Sequence, residues 1–203
     1  MNITIDELYI ARKNIFDKIQ TSSTITKILM SFLMACFTGI MAQVAMPLPW
    51  TPVPITAQTF AVLSAGLILG KKYGLLSQIL YILIGISFIP WFGGMKGGLD
   101  VVLGSNCGYF LGFLIASYFI GAITEKYASS RKFTSAILVI GIANFALIYI
   151  PGLTGLAVWA YFTKGTVLSI YSLLVMGLIP FIFGDIIKIL GASAVSKVFL
   201  PKD

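Results

Sequence analysis

Long runs of apolar residues limit how this chain can fold more than any other feature of its sequence. A transmembrane helix needs about 20 mainly apolar residues, and six runs of roughly that length follow one another. They cover residues 28–46, 55–70, 73–90, 101–123, 133–156 and 180–200. Because 58% of the 203 residues are hydrophobic and only 10% are charged, so short a chain cannot hide this surface in a water-soluble core. The runs therefore predict an all-α integral membrane protein, a bundle of six transmembrane helices.

Prolines interrupt two of the apolar stretches. Pro151 interrupts the fifth run, and Pro180 divides the apolar stretch 167–200, because proline is favoured in the first turn of a helix and disrupts its interior. We therefore expect the sixth spanning helix over residues 180–200. Residues 167–179 are too few to span a bilayer, and we expect a short helix there at the outer surface.

The basic residues fall mostly on one side of the predicted bundle. Eleven Lys and Arg residues lie before the first run, after the second and fourth runs and at the C-terminal end, whereas Lys96 and Lys164 lie on the other side. The positive-inside rule places the eleven in the cytoplasm. This predicts a multi-pass protein of the cell (plasma) membrane with both termini inside (N-in/C-in). Residues 1–26 then form a cytoplasmic lead-in, and residues 27–203 form a single six-helix domain.

Two opposite charges stand inside the last apolar run. Ionisable residues within a span are costly and usually mark a site, and a spacing of three places Asp185 and Lys188 on one helical face. One interpretation is a mutual ion pair that pins the helix in the bundle. The other is a pair that offers one acceptor and one donor to a polar ligand arriving from outside. The absence of other charged residues deep in the runs favours the second.

Two outer segments supply further candidate ligand contacts. The proline-rich stretch 46–58 is stiff and carries Trp50, Thr56 and Gln58, although Trp50 could serve only as an interfacial anchor and Thr56 only as a helix cap. The glycine-rich stretch 91–109 needs water or a ligand to satisfy its backbone at membrane depth.

Polar and aromatic side chains in the second stretch complete a predicted small-molecule pocket around the charge pair. Asn106 offers both a donor and an acceptor, and Trp91 and Tyr109 could stack on a compact apolar ligand. Lys96 is a further basic candidate in this stretch.

Small residues at four-residue spacing follow one face of the first predicted helix. Ser31, Ala35 and Gly39 allow another helix to approach closely. That helix could belong to this protein, or to a second membrane protein that docks here.

The sequence offers little for catalysis. It contains no histidine, its two cysteines lack a zinc-type spacing, and residues 66–72 resemble a nucleotide-binding loop only superficially. We predict that the chain is not an enzyme and has no cofactor. Because its basic residues sit in short loops and not on one face, the net charge of +7 does not predict a nucleic-acid partner.

Four stretches of the sequence resemble the BioY family, the biotin-specific substrate-binding (S) components of energy-coupling-factor (ECF) transporters. They are residues 52–59, 69–74, 108–113 and 181–188. The resemblance implies a six-helix S-component fold that captures biotin from outside, with Asp185, Lys188 and Asn106 as polar ligand contacts.

The same resemblance implies the partners of the protein. They are a transmembrane coupling subunit, on which small residues such as Ser31 and Ala35 would dock, and two cytoplasmic ATPase subunits. Biotin is then the transported ligand and not a cofactor. A stand-alone, ion-coupled small-molecule carrier is the alternative function.

Overall fold

A computed structural model describes residues 5–87 and 89–201, with side chains from residue 9 onward. The described part is mainly helical. Its α-helices are α1 Ile5–Thr21, α2 Thr24–Gln43, α3 Gln58–Ile86, α4 Leu99–Val102, α5 Cys107–Lys126, α6 Phe133–Ile142, α7 Tyr149–Lys164, α8 Ile170–Gly177 and α9 Ile182–Phe199. A π-helix, Ala143–Ile148, joins α6 to α7, and a 3-10 turn, Ile179–Phe181, leads into α9. A second 3-10 turn, Ala128–Arg131, follows α5.

Five helical stretches within the described residues are long and apolar enough to cross a membrane. They are Thr24–Gln43, Gln58–Ile86, Cys107–Lys126, Phe133–Lys164 and Ile170–Phe199. Many of their large apolar side chains are exposed, which is the surface that lipid would cover. The structure is therefore that of a multi-spanning helical protein.

Helix α3 is not one straight rod, because it folds back at Gly70. That residue has φ 75° and ψ −177°, which is outside the helical region and open to glycine. The side-chain amide of Gln58 donates to the hydroxyl of Tyr81 over 3.0 Å, although 23 residues of straight helix would separate them by about 35 Å. Gly74 lies directly against Gly66, since a Cβ on Gly74 would be 3.0 Å from the Gly66 Cα. The two segments of α3 therefore lie antiparallel, with the turn where the second and third apolar runs were predicted to part.

The fifth apolar run continues further than predicted. We expected an interruption at Pro151, but α7 runs through it to Lys164. The irregularity lies just before the proline, in the π-helix. Pro151 has no N–H, and its ring would clash with the carbonyl of residue 147 in a regular α-helix, so a wider turn removes the conflict.

The region around Pro180 follows the prediction closely. Helix α8 is short, with eight residues, and Pro180 stands in the first turn of the 3-10 segment that precedes α9. Two short antiparallel strands were not predicted. In them Ala45 pairs with Thr56 and Met46 with Ile55, so the proline-rich loop 47–54 is closed at its base.

Glycines let α5 and α7 approach to backbone contact. A Cβ on Gly108 would lie 1.8 Å from the carbonyl oxygen of Pro151, and one on Gly152 would lie 2.5 Å from the ring of Tyr109. This close crossing places the beginning of α5 beside the π-helix and α7. Together with α9, the proline-rich loop and the glycine-rich loop, these elements surround the site described below.

The small-residue face of α2 is turned inward. Ser31 and Ala35 are fully buried, the Ser31 hydroxyl donates to the carbonyl of Tyr73, and a Cβ on Gly39 would lie 2.9 Å from the ring of Trp91. In the conformation described, these three residues contact other parts of the chain, and their docking on a partner stays a prediction. They serve close packing within the chain, the other interpretation that the spacing allowed.

The end of the bundle opposite the strands gathers basic residues. Lys71 forms an ion pair with Glu125 over 3.4 Å, and the backbone N–H of Lys71 donates to the same carboxylate. Arg131 lies over the ring of Phe16 in α1, which holds α1 beneath this end, and Lys197 lies over the ring of Phe133. Burial lowers the pKa of Arg131, and the charge of Glu125 opposes that shift.

Candidate functional site

A cavity of about 400 Å³ opens among the proline-rich loop, the glycine-rich loop and the helices that adjoin them. This volume lies within the range of small-molecule sites, about 300–1,000 Å³. Its wall is built from the proline-rich loop, the start of α3, the glycine-rich loop, the first turns of α5, the junction of the π-helix and α7, and the start of α9. The lining residues are Pro52, Val53, Pro54, Thr56, Gln58, Thr59, Phe92, Gly93, Lys96, Asp100, Val101, Gly104, Ser105, Asn106, Tyr109, Phe110, Phe113, Ile148, Tyr149, Trp159, Phe181, Asp185 and Lys188.

The predicted charge pair lines this cavity. Lys188 Nζ lies 2.5 Å from Asp185 Oδ1, in the (i, i+3) geometry that the spacing predicts. Asp185 is 1% exposed. Such a carboxylate requires a close partner, because an isolated buried charge costs several kcal/mol or more.

The second oxygen of Asp185 has two neutral donors. The side-chain amide of Asn144 donates to Asp185 Oδ2 over 2.8 Å, and the hydroxyl of Tyr149 donates to the same oxygen. Both lone pairs of Oδ2 are thereby occupied. One lone pair of Oδ1 is left beside the ion pair with Lys188.

The ammonium group of Lys188 is also fully engaged. Besides Asp185 it donates to the carbonyl of Thr56 over 3.0 Å and to the hydroxyl of Thr59 over 2.8 Å. Three donors thus meet three acceptors. The two interpretations of the charge pair are therefore not exclusive, because the pair ties α9 to the start of α3 and still forms part of the cavity wall.

Asn106 provides the clearest free hydrogen-bonding group. It stands at the beginning of α5 without a side-chain capping bond, and its carbonyl oxygen is buried with no partner among the described residues. An unpaired buried acceptor costs roughly 1–3 kcal/mol. A donor on a bound molecule would remove that cost.

The other predicted contacts divide between the inside and the mouth of the cavity. Thr56, Gln58 and Tyr109 all line the cavity. The side-chain amide of Gln58 donates to the hydroxyl of Tyr81, and the Tyr109 hydroxyl donates to the carbonyl of Gly177 over 2.7 Å. Lys96 also lines the cavity but is exposed. It therefore lies at the mouth as an exposed cationic group.

Both tryptophans predicted as contacts lie elsewhere. Trp50 is 54% exposed and is not among the lining residues, which agrees with the alternative of an interfacial anchor. The indole of Trp91 donates to the carbonyl of Tyr81 over 3.0 Å and packs on Gly39. Trp91 therefore packs behind the wall and is not among the lining residues.

The sequence prediction missed several residues of the wall, and it missed Asn144, which is not a lining residue but donates to Asp185. Asn144 and Tyr149 are polar groups inside the fifth apolar run, and this was a signal that could have been used, because a polar side chain at that depth needs a partner. The aromatic side chains carried no comparable signal among so many apolar neighbours. Those aromatic residues are Phe92, Phe110, Phe113, Trp159 and Phe181.

The arrangement of the cavity suits the binding of a polar ligand. The described residues contain no group of three or more His, Cys, Asp or Glu side chains that could hold a metal ion. A cavity with a buried charge pair, an unpaired carbonyl and aromatic walls, set in a lipid-embedded bundle, defines a membrane protein that binds a small molecule.

Residues 14–201 match the BioY family, and the chain belongs to that family. It is 48% identical over 139 residues to a "Probable biotin transporter BioY" of Methanothermobacter thermautotrophicus, a match that covers 68% of this chain and 88% of the relative. It is 32% identical over 149 residues to a "Biotin transporter BioY" of Thermotoga maritima, covering 73% of this chain and 82% of that protein. These relatives carry the names of transporters and not of enzymes.

One solved structure has the same fold. It is the crystal structure of "the S-component for biotin from an ECF-type ABC transporter", with a TM-score of 0.75 over 87% of this chain and 93% of that one. The sequence identity is 23%, so this likeness concerns the fold.

Proposed function

We propose that this protein captures biotin from outside the cell and delivers it for ATP-driven uptake with an ECF module. That module would consist of a transmembrane coupling subunit and two cytoplasmic ATPase subunits. The observation that carries the proposal is the cavity, in which a buried Asp185–Lys188 pair and the unpaired carbonyl of Asn106 stand together in a chain of the BioY family. The names of the relatives and of the structural neighbour support the same ligand.

The free groups of the cavity fit the chemistry of biotin. Its ureido ring presents two N–H donors, and the inner wall leaves two acceptors free, Asp185 Oδ1 and Asn106 Oδ1. Hydrogen bonds to an ionised acceptor in a dehydrated site are short and strong. The carboxylate of the valeryl tail would be repelled by Asp185, so we place it at the mouth, near Lys96.

We further propose six membrane spans, with both termini in the cytoplasm. The fold-back at Gly70 supports counting α3 as two spans. The basic end of the bundle, with Lys71, Arg131 and Lys197, supports a cytoplasmic location for that end. The cavity then faces outward. Labelling in intact cells of single cysteines introduced at Lys72 and Lys96, in a variant in which Cys36 and Cys107 are replaced, tests this, because only the cysteine at 96 should react with an impermeant reagent.

Direct binding is the first test of the ligand. Isothermal titration of the purified protein in mild detergent should show one biotin per chain, and Asn106→Ala should weaken binding by about tenfold or more, as expected for a lost buried hydrogen bond. Asn14→Ala is the matched control, since Asn14 is exposed on α1 and remote from the cavity. Wild-type protein that binds no biotin would refute the proposed ligand.

Uptake by reconstituted vesicles tests the partners. Biotin accumulation should require ATP and the ATPase and coupling subunits. Accumulation by the protein alone that follows an imposed ion gradient would instead support the alternative of an ion-coupled carrier.

A further inference from the structure

The π-helix Ala143–Ile148 brings two donors of one helix onto a single carboxylate oxygen. Asn144 lies near its start and Tyr149 directly follows its end, and both donate to Asp185 Oδ2. In an α-helix, residues five apart point about 140° away from each other. A π-helix, with i→i+5 hydrogen bonds, has wider turns and so reduces the angle between the two side chains. The wide turn is therefore what allows both side chains to reach α9.

The contacts of Asp185 leave one lone pair of its carboxylate free to accept a hydrogen bond. Its Oδ2 is fully occupied by the two donors, and Oδ1 holds the ion pair with Lys188. The two hydrogen bonds to Oδ2 prevent the carboxylate from rotating about the Cβ–Cγ bond. Only Oδ1, with its remaining lone pair, can then accept a hydrogen bond from a molecule in the cavity.

We propose that Asn144 and Tyr149 are positioning residues for ligand recognition, and that the π-helix exists to aim Oδ1 of Asp185 into the cavity. This inference rests on the proposed function, because the affinity for biotin is used to detect a change in the position of Oδ1. Neither residue requires contact with the ligand to act in this way. Their effect passes through Asp185, and this distinguishes them from residues that merely fill space.

A double-mutant cycle separates action through Asp185 from direct contact. Tyr149→Phe keeps the ring and removes the donor, and Asn144→Leu keeps a similar volume without the amide. Each should weaken biotin binding by about tenfold, the loss expected for one hydrogen bond to a charged group. Tyr161→Phe is the matched control, because Tyr161 lies on the same helix α7 but is 56% exposed, and its change should stay within about twofold.

The second arm of the cycle repeats Tyr149→Phe in an Asp185→Asn background. If Tyr149 acts through Asp185, Tyr149→Phe should cause no further loss of biotin affinity in this background. The same tenfold loss in both backgrounds would overturn the proposal and make Tyr149 a direct ligand contact. An unchanged affinity in wild-type background would overturn it as well.

A spectroscopic readout keeps the proposal testable without biotin. The chain has only seven Asp and Glu residues, so the infrared carboxylate band lost in Asp185→Asn can be assigned to Asp185. That band should shift in Tyr149→Phe and in Asn144→Leu and stay in place in Tyr161→Phe. An unshifted band would refute the positioning role, whereas a failure of wild-type protein to bind biotin would refute only the proposed function.

Discussion

Lys188→Met is the change that best tests whether the charge pair stabilises the fold, recognises the ligand, or does both. The substitution keeps a long apolar side chain but removes an ion pair of 2.5 Å to a carboxylate that is 1% exposed. It also removes the bonds to Thr56 and Thr59 at 3.0 and 2.8 Å. Breaking a buried pair from one side costs about 3–5 kcal/mol, since the remaining charge stays buried without compensation. For a chain of this size that corresponds to a fall in melting temperature of roughly 6–20 °C.

The double variant Asp185→Asn with Lys188→Met separates the two roles. It removes both charges but keeps a carbonyl oxygen for the donors Asn144 and Tyr149. Replacing both members of a buried pair is often close to neutral for stability, so most of the lost melting temperature should return. Biotin affinity should not return, because the ionised acceptor is gone and each lost charge-assisted bond weakens binding by about 10- to 100-fold.

Thermal unfolding in detergent and titration with biotin measure the two effects on the same samples. A Lys188→Met protein with wild-type stability would refute the argument from burial. A double variant that binds biotin as tightly as wild type would show that the pair only pins the helix, and the recognition argument would fail.

Three further outcomes follow from the packing. Gly108→Ala should destabilise the protein by about 3 kcal/mol or more in chemical unfolding, because its Cβ would lie 1.8 Å from a backbone oxygen of Pro151. Gly141→Ala is the control, and it should be neutral or slightly stabilising because Gly141 has no described neighbour within 4 Å. An equal loss of stability in the two variants would contradict this reasoning. Gly70→Ala should lower the melting temperature, since φ is 75° and the new Cβ would meet the carboxylate of Glu125, and a wild-type melting curve would exclude the described turn. Trp50→Ala should leave biotin affinity within about twofold of wild type, because Trp50 is 54% exposed. A large loss of affinity measured by titration would indicate that Trp50 contacts the ligand.

The membrane character and most helix positions could be read from the sequence because they depend on local properties. Apolar length, loop charge and proline position are set by the bilayer and the backbone, and none of them requires knowledge of a distant contact. The short helix before Pro180 and the turn at Gly70 lie close to where these signals predicted them. The extent of α7 was misjudged because a proline can be accommodated by a π-helix instead of ending the segment.

The Asp185–Lys188 pair could also be found from the sequence, because two charges in an apolar helix have few ways to be satisfied. What the sequence could not decide is which side chains meet across helices. Only the tertiary structure turns Trp91 and the small residues of α2 inward, and only it brings Asn144 and Tyr149 onto Asp185. The physical reason is that hydropathy and spacing fix the length and local face of a helix. Rotation about its axis and the choice of neighbour depend on packing against residues far away in the chain.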